Sequence, residues 1–163
     1  MLSELQRKSV WEGWLSAEIR ANYFADLCYR YQSRQRAINW LLLLSSSGAF
    51  LSLVSDWLPP GYGWVRPTLA AVTAGLSGWS LIGQNQKHST DCSDVSFRWS
   101  RLAIDFQALW DEMYSPDAVV RLRGLMDRMT ELSKTSHAFP NKENLMSKWE
   151  AHVVQHHTSP IAA

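Results

Sequence analysis

The sequence predicts an all-α protein: a membrane hairpin of two transmembrane helices, continued by long cytoplasmic helices into a helical bundle and assembled as a homo-oligomer. Three observations predict it. Residues 37–55 and 67–86 are charge-free stretches of 19 and 20 residues, and a helix of about 20 residues spans the ~30 Å hydrocarbon layer of a bilayer. On either side of this pair, apolar residues recur at alternating steps of three and four, the period of a helix. Positive charge gathers at the two outer ends: Arg30, Arg34 and Arg36 before the first stretch, and Lys87, Arg98 and Arg101 after the second. That places both termini on the cytoplasmic side of the membrane.

Composition narrows the classes further. Sixteen basic residues face 15 acidic ones, which excludes a generic basic nucleic-acid binder. Two cysteines, Cys28 and Cys92, are too few for a disulfide scaffold or a zinc ribbon and read as small core residues. Mean hydropathy is slightly negative, as in a soluble chain, but the charges responsible lie outside the two stretches.

The segment 1–36 opens with Ser3 and, three residues on, Gln6, the pattern of a capping box. Val10, Trp14, Ala17, Ala21, Phe24, Cys28 and Tyr31 then step by four and three through three heptads. Only Gly13 weakens this run, so one helix is expected from about Ser3 directly into the first span. The hairpin occupies 37–86, with its turn at 56–66. Pro59, Pro60, Gly61 and Gly63 fix the turn, and Trp57, Tyr62 and Trp64 suit the headgroup zone. Trp40 marks the near side. Serines and glycines interrupt both stretches, and threonines the second, which leaves a rival: a hairpin buried inside a soluble helical protein.

Residues 87–157 are expected to form the cytoplasmic bundle. Cys92, Val95, Trp99, Leu102, Phe106, Leu109 and Met113 repeat the heptad steps along a helix antiparallel to the first. Ser115-Pro116-Asp117 ends it and starts the next, with Ser115 as N-cap. The third cytoplasmic helix uses Ala118, Leu122, Leu125, Met129 and Leu132. After Phe139-Pro140, Asn141 caps a last helix carrying Leu145, Trp149 and Val153. The tail, 158–163, is expected to be loose. One hairpin does not cover so many aromatic faces, whereas further copies of the chain do.

Candidate functional residues fall into two groups. In the first span, Ser45, Gly48, Ser52 and Ser55 share one helical face; in the second, Thr73, Ser77, Ser80 and Gln84 do. Such faces line a watery pore in an oligomer or let helices pack closely and hydrogen-bond. The basic set Arg30, Arg34, Arg36, Lys87, Arg98 and Arg101 reads as a topology signal and lipid contact, or as an anion site that Arg121 and Arg123 join if the third helix folds back. His152 and His156 are one helical turn apart but lack the companions of a zinc site, so no metal and no cofactor is expected. No nucleotide loop, nucleophile elbow or paired metal motif occurs, which argues against an enzyme.

The layout resembles the SLATT domain, a two-transmembrane effector domain associated with SMODS nucleotidyltransferases and SLOG sensors in bacterial defence. The resembling parts are Ile19-Arg20-Ala21-Asn22-Tyr23-Phe24 through Arg36-Ala37-Ile38-Asn39, the short hairpin, and Phe97-Arg98-Trp99 to Leu109-Trp110, within residues 10 to 135. The resemblance implies a pore-forming antiphage effector. A nucleotide or oligonucleotide signal, made by a partner nucleotidyltransferase encoded alongside it, would gate the pore from the cytoplasm. A non-conducting membrane scaffold or regulatory subunit is the competing reading.

Overall fold

The computed structural model describes residues 2–46 and 85–158, with positions 64, 68, 71, 74, 75 and 78 between them. Among the described residues there are four α-helices and no strand: α1 (Glu4–Ser46), α2 (Asn85–Asp111), α3 (Ala118–Ser136) and α4 (Glu143–Thr158). The all-α expectation holds. Among these residues no helix is long and apolar enough to cross a membrane. The first charge-free stretch is described only as far as residue 46, as the end of α1. The rest of it, the turn apart from Trp64, and most of the second stretch lie outside the described residues.

α1 is one unbroken helix of 43 residues, roughly 65 Å long at 1.5 Å per residue. Its start is the expected capping box. The Ser3 N–H donates to Gln6 Oε1 at 2.9 Å, and the Gln6 N–H donates to Ser3 Oγ at 3.3 Å. Two of the donors that any helix start leaves open are thereby satisfied locally.

The chain divides into two compact units, Met1–Leu27 with Asp91–Ala163, and Cys28–Thr90. In the first, α1 and α2 pack antiparallel along the two heptad seams. Ser96 Oγ donates to the Ala21 carbonyl at 3.0 Å, the Phe106 ring lies against Gly13, and Trp110 meets Trp11 with ring centres 5.4 Å apart. Val10, Ala17, Ala21 and Phe24 of α1 are buried, as are Val95, Trp99, Leu102, Phe106 and Leu109 of α2. Ala118, Leu122 and Leu125 of α3 and Leu145 and Val153 of α4 complete the core. Tyr23 and Leu27, outside the α1 seam, are buried as well. A bundle covers a wider stripe of each helix than a two-stranded coil does.

Three boundaries differ from expectation. α2 stops at Asp111, and residues 112–117 form turns. Asp117, not Ser115, is the N-cap of α3, and its side chain makes no capping bond because the Ser115 hydroxyl donates to the Asp117 carboxylate. That hydrogen bond, followed by one from the backbone, holds the Asp117 carboxyl below its usual range. Asn141 does not begin α4; the Lys142 carbonyl accepts the first backbone bonds, from Leu145 and Met146. Here a tertiary contact replaces the local cap. Tyr23 Oη donates to the Pro140 carbonyl at 2.6 Å and accepts from the Lys142 N–H at 3.2 Å.

In the second unit, the Cys28 thiol donates to the Ser89 carbonyl at 3.4 Å and accepts from Gln32 Nε2 at 3.5 Å. Tyr31 stacks on His88 with ring centres 5.8 Å apart. Cys28 and Cys92 are both buried, and neither is in a disulfide.

Candidate functional site

All of the pore-face candidates lie beyond description at the side-chain level. Ser45 belongs to α1 by its backbone, and Gly48, Ser52, Ser55, Thr73, Ser77, Ser80 and Gln84 lie outside the described residues. The basic candidates are placed. Arg30, Arg34 and Arg36 are exposed on α1, and Lys87 is exposed on the first turn of α2, all in the second unit. Arg98, Arg101, Arg121 and Arg123 belong to the first unit.

α3 does fold back against α2, and a surface groove of about 370 Å³ runs between them. Arg98 and Arg101 line one wall, and the opposite wall carries Arg128, Glu131 and Thr135 of α3. Arg121 and Arg123 are not part of it. Arg121 is hydrogen-bonded to Glu112, which raises its guanidinium above the ordinary arginine value, and Arg123 is exposed. Arg128 was not a sequence candidate. Only the pairing of α2 with α3 brings it opposite Arg101, although its place one turn before Leu132 on a half-buried helix carried the hint.

Two of the three arginines are held in place by carboxylates. Arg98 Nε lies 2.9 Å from Asp94 Oδ2 on its own helix, and Arg128 Nη1 of α3 lies 2.9 Å from Asp105 Oδ2 of α2. Arg101 is exposed and makes no ion pair among the described residues. A guanidinium carries five N–H donors, so one carboxylate contact leaves donors of Arg98 and Arg128 available. The lining brings three positive groups and one negative one.

A second polar cluster joins α1 to α4. His157 Nε2 is 2.8 Å from Glu18 Oε2, and its ring meets Trp14 and Trp11 with centres 4.9 and 5.6 Å apart. His157 was expected at the edge of a loose tail. Instead α4 runs on to Thr158, and the imidazole is largely enclosed. Removing it with His157→Ala is expected to lower the unfolding free energy by about 1 kcal/mol. Amide hydrogen exchange should rise first in α4; unchanged exchange there would show that the cluster does not hold that helix.

The fold and its grooves define an all-helical bundle with an arginine-lined surface site. Compared with protein families, curated proteins and solved structures, the chain matches none.

Proposed function

We propose that the chain is a homo-oligomeric ion channel of the bacterial inner membrane, a defence effector whose hairpin crosses the bilayer with both termini cytoplasmic. A nucleotide or oligonucleotide signal binds the helical bundle and shifts the population between closed and open packings. A partner nucleotidyltransferase supplies that signal.

The observation that carries the membrane part is the end of α1. Trp40, Leu41, Leu43 and Leu44 are 64%, 52%, 60% and 52% exposed and fan over about 160° of the helix, at 100° per residue, while Leu42 on the other side is half-buried. An exposed apolar face of this width calls for lipid or a protein partner. The exposed Arg34 and Arg36 just before this collar fit the cytoplasmic edge of a span.

Full-length protein is therefore expected in the membrane fraction, resistant to high salt and alkaline carbonate and released by detergent. Release by salt alone would overturn the membrane anchor and favour the buried hairpin. Purified protein in a planar bilayer should give discrete current steps that respond to the signal. If Ser52 lines the pore, Ser52→Leu abolishes them without dispersing the oligomer. Silence from inserted protein would leave the scaffold reading in place of the channel.

A further inference from the structure

We infer that the groove between α2 and α3 is a binding site for a nucleoside phosphate, with the phosphate held by Arg98, Arg101 and Arg128. The inference deepens the proposed function by giving its ligand a place and a chemical class. It stands on binding alone, whether or not the chain conducts.

The chemistry of the lining selects the ligand in three steps. Arginine forks match phosphate oxygens in pairs, and three converge here from two helices. Asp94 and Asp105 fix two of the forks without occupying all of their donors. Arg101 adds a charge that makes no ion pair among the described residues, although Glu131 lines the same groove.

A bare phosphate would need only that. The groove, however, also has an apolar floor, Leu102 and Leu132, and Phe97 stands on its rim 64% exposed. An exposed ring beside apolar side chains offers a planar group a surface to stack on, and base–aromatic stacking is sequence-tolerant. Glu131 would repel a purely anionic ligand. Beside a nucleoside it accepts a hydrogen bond from a sugar hydroxyl or a base amino group, and the Thr135 hydroxyl adds a second polar contact. The volume of about 370 Å³ falls within the roughly 300–1,000 Å³ of small-ligand sites.

The test is equilibrium binding to the full-length protein in detergent. The probes are adenosine and guanosine monophosphate, inorganic phosphate, and phosphatidylglycerol or phosphatidylcholine in mixed micelles with the same detergent. Saturable binding of a nucleoside monophosphate, tighter than that of inorganic phosphate, is expected. Arg101→Ala should weaken it roughly tenfold or more. Because Arg101 has no ion pair to lose, the thermal melt of that variant should match the parent. Arg128→Lys, which keeps the charge but not the fork, should weaken binding as well. Equal affinity for inorganic phosphate would overturn the nucleoside part of the inference. Binding of phosphatidylglycerol alone, abolished by Arg101→Ala, would reassign the groove to a lipid headgroup. Nucleotide binding that survives both arginine substitutions would place the ligand elsewhere and overturn the site. A channel that is silent yet binds nucleotide through Arg101 overturns conduction and keeps the site; a conducting channel that binds none does the reverse.

Discussion

Replacing Trp99 by alanine should cost about 3–5 kcal/mol of unfolding free energy, enough to leave most of a marginally stable bundle unfolded. Trp99 is fully buried, and three helices meet on it. Its indole Nε1 donates to Ser136 Oγ of α3 at 3.0 Å. The Arg20 guanidinium of α1 lies 4.8 Å from its ring centre and also donates to Ser133 Oγ of α3. Burial lowers the affinity of that guanidinium for its proton, but an arginine remains a cation at any working pH. The truncation removes a large apolar surface and leaves a cavity beside a half-buried charge. Trp99→Phe separates these effects. It keeps a ring under Arg20 and loses the indole hydrogen bond, so about 1 kcal/mol is expected. Denaturant unfolding followed by near-ultraviolet circular dichroism measures both. Equal losses for alanine and phenylalanine would mean that the hydrogen bond, rather than packing, dominates.

Gly13→Val should destabilise the protein by about 1–3 kcal/mol, against the expectation from helix propensity. Glycine within a helix costs about 1 kcal/mol relative to alanine, so propensity alone favours replacing it. Space decides otherwise. A Cβ built at Gly13 would stand 2.7 Å from Cε1 and Cζ of Phe106, closer than real Cβ contacts allow. The Phe106 ring is fully buried, so it has no free direction in which to retreat. Gly13→Ala, which gains the propensity and meets the same clash, should lose less than the valine variant. Combining Gly13→Ala with Phe106→Leu should recover part of the loss expected from adding the two single effects. Strict additivity in that double-mutant cycle would show that the two positions are not in contact.

Gly13 also shows how much of the fold can be read from sequence. It stands out there as a weak point in a helix, but the reason for it is a ring 93 positions away. The capping box of Ser3 and Gln6 was legible because both partners lie within one turn. The two heptad seams were legible because a period needs no partner to be visible. Tyr23 was missed as a core residue because its burial depends on a loop more than a hundred residues later. The same contact explains why a capping residue was expected at Asn141 and is not used. For the candidate site, Arg98 and Arg101 were visible as part of a basic cluster. Arg128 was not, since charge alone did not distinguish it from Arg121 or Arg123. Their difference is the partner each helix face meets: Glu112 for Arg121, and Asp105 with the groove for Arg128.

The contact between His157 and Glu18 joins residues 139 positions apart in sequence. At translation rates of 5–20 residues per second, the first helix is made roughly 7–30 s before the helix that covers Trp11 and Trp14. Through that interval a long helix with several tryptophans waits without its last cover. Long-range closure of this kind also slows folding once synthesis ends. Nascent α1 is therefore expected to need a chaperone, and chains truncated before α4 should aggregate through those tryptophans.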